Sequence, residues 1–396
     1  MNRTLLIDVG STYFKIAAMG EIRQYPRSFD RDIYRDLREK CGDVIDQYAP
    51  EEIYICSSAN GGLSTLIIGL TRSFSLKYAT DIAYNSGINI IDTLLYPKIK
   101  SYPIPGEKVD VVIVVGGIDD VEGVFDERLF GYLEHLKYDH IVYAGSGADA
   151  ELFSKRVPEA TLLGNILNDR LQVEEEALKE YLTNLYQADI IGKEEIKELY
   201  AITANQIYPT PYIVNRAMER LSERFAEVVD PFIMIDIGGA TTDIHYSSDL
   251  RVDNRVSEEG YDRLVFKKLG VYKSRESLIF SARRNEFVYE LLNYLNVTEH
   301  ILEERSEQAT KILMQLAIFL VLYKVSRHHE GYLSLHLERL KSIVMTGGIT
   351  KVLSDQEMEE TVLFFYRKIL HYHTVPPLVI DRAYAIWTLG LAPEAR

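Results

Sequence analysis

Asp8-Val9-Gly10-Ser11-Thr12-Tyr13-Phe14-Lys15 lies near the start of the chain, and a second stretch of the same design, Asp236-Ile237-Gly238-Gly239-Ala240-Thr241-Thr242-Asp243, recurs about half a chain later. Each follows a short apolar run, Leu5 to Ile7 and Phe232 to Ile235, of the length and composition of a buried strand. Glycine in the turn lets main-chain N–H groups approach a phosphate closely. Each loop therefore reads as half of a phosphate clamp.

Residue type supports that chemistry. Ser11, Thr12, Thr241 and Thr242 offer hydroxyl and main-chain donors to phosphoryl oxygens. Asp8, Asp236 and Asp243 repel bare phosphate and so call for an intervening hard cation, most simply Mg2+ that keeps its waters. Lys15, placed to return on the next strand of a hairpin, puts a positive charge on the phosphates. One D-x-G-[ST] segment alone is ordinarily a strand followed by a turn; two in this order point to a binding site. A third segment, Ile343-Val344-Met345-Thr346-Gly347-Gly348-Ile349, is an apolar strand ending in a Gly-Gly turn that leaves room for a purine against the backbone.

These three segments resemble the actin, sugar kinase and Hsp70 ATPase superfamily. The first is similar to its phosphate 1 motif, with Lys15 at the actin-like spacing. The second resembles its phosphate 2 motif, D-x-G-G-G-T-x-D, with Ala240 in place of a glycine, and Gly347-Gly348 is similar to its adenosine motif. The resemblance implies an α/β protein of two ribonuclease-H-like domains closing over ATP in a cleft. Tyr208-Pro209-Thr210-Pro211, the string Asp236 to His245 reading D-I-G-G-A-T-T-D-I-H, Cys56-Ser57-Ser58-Ala59-Asn60-Gly61-Gly62-Leu63, Val115-Gly116-Gly117-Ile118-Asp119 and Tyr143-Ala144-Gly145 together resemble the GlmL or MutL family of glutamate mutase accessory proteins. That resemblance implies an ATP-dependent chaperone that reactivates an adenosylcobalamin-dependent mutase or aminomutase by releasing damaged cofactor, with the mutase subunits as its partners.

Composition excludes several other classes. A chain of 396 residues exceeds one ordinary core and predicts two domains. A net charge of -15 argues against a nucleic-acid surface, which demands basic patches. Cys41 and Cys56 are the only cysteines, too few for a disulfide framework or a cysteine-ligated cluster within one chain. The N-terminus runs directly into a strand without a basic, cleavable apolar leader, so a cytoplasmic protein is expected. The longest apolar stretch, Ile312 to Tyr323, contains Gln315 and stops at Lys324, short of the roughly 20 residues that span a bilayer; it predicts a buried helix and no membrane association.

The first domain, 1–211, is expected to alternate strands and helices. Its strands are Leu5 to Val9, Phe14 to Met19, Ile22 to Tyr25, Ile53 to Ser57, Val111 to Val115 and His140 to Tyr143, with a helix over Arg31 to Tyr48. Leu171 to Leu185 and Lys193 to Ala201 are acidic and helix-prone and predict a helical insertion over about 165–205. The second domain, 212–396, opens with a helix over Tyr212 to Val228. After its loop it carries a hairpin through Arg251 to Val256, helices over Tyr261 to Lys268 and Ile301 to His329, and a strand at Ile343 to Met345. The closing helix Asp381 to Leu391, by the same resemblance, packs back on the first domain.

Other features carry two readings each. Gly116-Gly117 with Asp119-Asp120, and Gly145-Ser146-Gly147, either line a nucleotide or serve tight strand-to-helix turns that use Gly and Asp for conformation alone. Asp243-Ile244-His245 starts a D-x-H-x-x-G cobalt signature, but residue 248 is Ser248, and His245 reads as a strand residue. His328-His329, His371 and His373 have no spacing that converges three ligands. Neither G-x-x-x-x-G-K-[ST] nor G-x-G-x-x-G occurs.

The expected mechanism is phosphoryl transfer to water by positioning and charge neutralisation. Asp8 and Asp236 hold hydrated Mg2+, Thr12 and Thr241 contact the phosphates, and Asp236 or Asp243 orients the attacking water. A small-molecule kinase and an actin-like filament or scaffold protein share the expected fold and stand as the alternatives.

Overall fold

The computed structural model describes residues 3–10, 13–28, 32–58, 63–86, 88–192, 194–239, 241–252, 260–266, 269–272, 274–326 and 334–393. The chain separates into a first unit that runs to Val214 and takes in the chain from Leu391, and a second from Asn215 to Gly390.

In the first unit, strands Thr4–Val9, Tyr13–Ala18 and Glu21–Pro26 form an antiparallel meander; Glu52–Ser57 then pairs parallel to Thr4–Val9, and the short Tyr208–Pro209 pairs parallel to Glu52–Ser57. In space the order is fifth, fourth, first, second, third. Leu5, Ile7 and Val9 alternate toward a core completed by Phe14 and Ile16 and by Leu37, Cys41 and Ile45 of helix Ile33–Tyr48. That helix starts where the Asp32 carboxylate accepts the Tyr34 and Arg35 N–H groups, and ends at Ala49, whose φ of 46° leaves the helical region.

The second unit repeats the design. Phe232–Ile237, Thr242–Ser247 and Tyr261–Phe266 make the meander, and Ser342–Gly347 and Leu378–Ile380 add in parallel, again in the order fifth, fourth, first, second, third. Behind this sheet lies helix Glu307–Val325, capped by the Ser306 hydroxyl. It is the helix, among the described residues, long and apolar enough to cross a membrane, and 72% of its apolar window is buried inside the protein. Phe319 is fully buried there among Tyr323, Phe364 and Phe365.

Between the fourth and fifth strands of the first sheet the chain inserts another sheet. Strands Ser64–Gly69, Asn89–Leu95, Val109–Val115, Tyr138–Tyr143 and Thr161–Leu162 are all parallel, in the doubly wound order second, first, third, fourth, fifth. Ile67, Ile113 and Val142 pack on helix Lys77–Asn85 and on Leu178 and Leu182 of helix Glu176–Gly192. Leu66, Val112 and Val114 pack on the opposite face against Leu129 and Phe130 of helix Glu127–Leu133 and Phe153 of helix Gly147–Arg156. Helix Glu176–Gly192 reaches both cores, because Tyr186 further along it lies in the core of the first sheet.

The structure revises several sequence expectations. Strands at 111–115 and 140–143 belong to the inserted sheet, so the insertion is α/β and begins well before residue 165. A strand buried on both faces shows an unbroken apolar run, which names the element but not the sheet it joins. Tyr261–Phe266 is a strand, not a helix: it pairs antiparallel with Thr242–Ser247, and its buried Asp262 meets the buried Arg251 at 3.2 Å. The helix expected over Tyr212 to Val228 is Thr210–Ala217 followed by short turns, and the closing helix is Ile386–Leu391. In place of one helix over Ile301 to His329, a short turn over Glu299–Glu303 precedes Glu307–Val325. The expected hairpin and the end of that helix reach residues 253–259 and 327–329, outside the described residues.

Candidate nucleotide site

The two meanders place their loop residues identically. Asp8 stands opposite Lys15 and Asp236 opposite Asp243 in the cross-strand register. Gly10 N–H donates to the Tyr13 carbonyl at 2.9 Å, and Gly238 N–H donates to the Thr241 carbonyl at 2.9 Å. A Cβ on Gly10 would stand 2.8 Å from the Tyr13 oxygen, so that hairpin is closed too tightly for any side chain there.

At the first loop, Asp8 is fully buried. Its Oδ2 accepts from the Lys15 ammonium at 2.7 Å, and its Oδ1 accepts from the Thr210 hydroxyl at 2.6 Å and from the Cys56 thiol at 3.6 Å. Burial, with the Asp8 charge beside it, pushes the Cys56 thiol well above its usual range, so it stays protonated and able to donate. Sequence reading missed Arg27, whose Nη1 donates to the Gly10 carbonyl at 2.9 Å while its guanidinium lies 5.6 Å from the Phe14 ring centre. Ser11 and Thr12 lie outside the described residues.

At the second loop, Asp243 Oδ1 accepts from Arg263 Nη2 at 2.5 Å and its Oδ2 accepts from the Thr241 hydroxyl at 3.0 Å. Arg263, also missed, therefore fixes Asp243, and Asp243 fixes Thr241. The loop is pinned from outside: Gly238 and Gly239 carbonyls accept the Val271 and Tyr272 N–H groups at 3.2 and 2.9 Å. Thr242 does not face the loop. It is fully buried and donates to the Leu269 carbonyl at 2.9 Å, because alternation along the strand turns it to the core, which removes it from the expected phosphate donors. Ala240 lies outside the described residues.

The Gly347-Gly348 turn has a packing reason of its own. Gly347 sits at a φ of +91°, and a Cβ there would collide with the Asp236 carboxylate. The turn thus cradles Asp236, while Gly348 N–H donates to the Ile237 carbonyl at 3.0 Å. Thr346 next to it donates to the buried Asp381 at 3.2 Å. Asp381 also accepts the Ala385 and Ile386 N–H groups at the entrance of the closing helix, and burial raises it above the ordinary carboxylate range.

A model of the MutL protein family matches residues 4–395. The chain belongs to the MutL protein family. It is 24% identical over 272 residues to Protein MutL of Clostridium tetanomorphum, a match covering 63% of this chain and 58% of that relative, so it spans less than two thirds of the relative's length. Among solved structures it is similar to the activator of the 2-hydroxyisocaproyl-CoA dehydratase from Clostridium difficile with bound ADPNP, at 11% identity and a TM-score of 0.33 over 98% of this chain and 92% of that one. It is similar to the ROK hexokinase from Thermus thermophilus at 8% identity and a TM-score of 0.32, over 98% and 97%. A glycerol dehydratase reactivase aligns at 9% identity and a TM-score of 0.32, over 94% and 95%. This MutL-family chain is an α/β protein that carries two mixed sheets of the same strand order.

Other candidates in the MutL-family chain take structural roles. Gly116 and Gly117 hold φ values of +144° and +89°, and a Cβ on Gly145 would stand 2.6 Å from the Gly116 oxygen. Asp119 is engaged within the insertion, accepting from Gly147 N–H at 3.1 Å and the Asn165 amide at 3.0 Å. Close approach of two backbones accounts for these glycines. His245 is buried in its strand, with Nδ1 3.0 Å from the Asn215 side-chain oxygen; burial first and Arg263 second hold it well below its ordinary value of 6.5, so it is a neutral Nδ1–H donor at neutral pH. Among the described residues no group of three His, Cys, Asp or Glu side chains converges as a directly liganded metal centre. A hydrated Mg2+ needs only one or two carboxylates. Asp8 is sealed and hydrogen-bonded through both oxygens, and Asp236 is half-buried and cradled by Gly347.

Proposed function

We propose that this MutL-family chain binds ATP with Mg2+ through its two acidic loops and hydrolyses it to ADP and phosphate. The hydrolysis drives a cytoplasmic chaperone action that restores an adenosylcobalamin-dependent mutase, of the glutamate mutase or aminomutase type, by promoting release of damaged cofactor. The observation that carries this reading is the matched pair of hairpins: the same acid, the same glycine and the same closing hydrogen bond at one position of two sheets of identical strand order.

Each residue then has a task. Lys15, held by Asp8, presents a cation to the phosphates, and Arg27 braces the Gly10 carbonyl so that the loop keeps its shape. Thr241, fixed by Asp243 and Arg263, offers a hydroxyl. Asp236 would hold the waters of a bound Mg2+, and Asp236 or Asp243 would orient the attacking water. Bound Mg2+ supplies charge neutralisation on the transferring phosphoryl group. Gly347 and Gly348 leave the purine side of the turn uncluttered. Because a nucleotide shifts a conformation only by preferring one state, hydrolysis removes the preference that ATP imposed.

The test is reactivation of purified glutamate mutase inactivated during turnover, with ATP and Mg2+, alongside release of inorganic phosphate. Recovery that requires ATP, and that Asp8→Ala and Asp236→Ala abolish, is the expected outcome. Phosphate release at normal rates in both variants would remove the site assignment. Absence of recovery for glutamate mutase and for every aminomutase tried would remove the chaperone reading.

A further inference from the structure

Tyr272 is the most exposed aromatic ring among the described residues, 64% open to solvent, and it stands beside the glycine loop of the second unit. Its main-chain N–H donates to the Gly239 carbonyl at 2.9 Å, and the N–H of Val271 before it donates to the Gly238 carbonyl at 3.2 Å. A Cβ on Gly239 would stand 3.3 Å from the Tyr272 ring, so the ring lies against the loop because residue 239 has no side chain to crowd it. An exposed tyrosine is ordinary on a protein surface. A ring tied by its own backbone to a turn of this kind is not.

The turn next to the ring is shaped to take an acceptor. Gly238 N–H closes the hairpin on the Thr241 carbonyl at 2.9 Å, but among the described residues neither the Gly239 N–H nor the Thr241 N–H has an acceptor. Both residues are half-buried, and main-chain N–H groups gathered in a turn make a small concavity for an anion. A phosphate seated there has the Tyr272 ring as its neighbour. The ring carries no charge for a phosphate to use; what it offers is a broad apolar face, which suits the part of a nucleotide that a phosphate is attached to.

We propose that Tyr272 is a binding residue of the second unit's nucleotide site: its ring is the surface on which the nucleoside part, base or ribose, of a bound nucleotide lies while the Gly239 and Thr241 N–H groups take a phosphate. This rests on the nucleotide reading above and deepens it. It gives Gly239 two tasks, an N–H for the phosphate and the bare Cα that lets the ring come close. It also explains why so large a ring is left in solvent in the absence of a ligand: binding is what covers it.

Calorimetry with two ligands, ADP and inorganic pyrophosphate, both with Mg2+, separates a contact with the nucleoside from mere support of the loop, because pyrophosphate has no nucleoside to lose. Where pyrophosphate gives too little heat, its displacement of ADP yields the same constant. Tyr272→Ala is expected to weaken ADP at least fivefold, the low end for loss of one aromatic contact, and to leave pyrophosphate within about twofold of wild type. Tyr272→Phe is expected to stay within about twofold for both ligands, since the ring and not its hydroxyl makes the contact. An exposed ring is no part of the core, so the urea midpoint of both variants should match wild type. Unchanged ADP affinity in Tyr272→Ala, equal losses for ADP and pyrophosphate, or a Tyr272→Phe as weak as Tyr272→Ala overturns the proposal and leaves the nucleotide reading standing. A wild-type chain that binds neither ligand overturns the nucleotide reading and this proposal together.

Discussion

Gly347 illustrates how much a single position settles. Its φ of +91° and the Asp236 carboxylate occupying its Cβ direction leave no conformation for another residue. Gly347→Ala is expected to cost about 1–3 kcal/mol from backbone strain and to push Asp236 aside. Its midpoint in urea should fall, and its magnesium-dependent ADP affinity should drop at least tenfold. His245 offers a second test at this scale. Its folded value lies below the ordinary 6.5, so the unfolded chain binds the extra proton first, and the stability it contributes is present above pH 6.5 and is lost as pH falls through that value. Melting at pH 7.5 and pH 5.5 should show a loss on acidification that His245→Gln reduces, Gln keeping a donor for Asn215. At this scale the sequence names the two leading acids and the glycines well, because a turn too tight for a side chain leaves its mark in composition. Thr210, 202 residues from Asp8, and Arg263 are partners made by strand order and carry no local mark.

Elements are legible where one face alone is buried. Helix Ile33–Tyr48 repeats as its exposure requires and begins within two residues of where the sequence puts it. Unbroken apolar runs are harder. Leu66-Ile67-Ile68 inside strand Ser64–Gly69 passes unnoticed, and Val111 to Val115 is recognised as a strand but joined to the wrong sheet. Helix Glu307–Val325 is the opposite case, since its apolar run is long enough to exclude a strand and Gln315 marks where it meets a polar neighbour, donating to the Glu357 carbonyl and the Thr361 hydroxyl at 3.1 Å each. Phe319 at its centre anchors three other rings, so Phe319→Ala is expected to destabilise the second unit by about 3–5 kcal/mol in urea denaturation. A loss under 1 kcal/mol would mean that the helix is not the core element described.

For the whole molecule, strand order carries more than any motif. Two sheets with one topology explain why half the chain repeats the other, and the doubly wound insertion explains why the first half is longer between its fourth and fifth strands. The sequence shows the repetition but hides the insertion, since parallel strands separated by helices look alike whichever sheet they enter. Ligand linkage tests the assembly as a whole. At a concentration one hundred times its dissociation constant, ADP with Mg2+ should stabilise the chain by about 2.7 kcal/mol, a melting shift of roughly 5–11 °C for a unit of this size. Asp236→Asn should lose most of that shift, and an unshifted wild type would count against a nucleotide site.

Helix Glu176–Gly192 is rooted at Leu178 and Leu182 in the inserted sheet and at Tyr186 beneath the first, where the Tyr186 hydroxyl donates to the Ser57 carbonyl at 3.4 Å. Ser57 follows Cys56, which touches Asp8. A rigid rod with one end in each structure behaves as a lever: force applied to the insertion by anything that grips it arrives, about 12 Å along the rod, at the strand that supports Asp8.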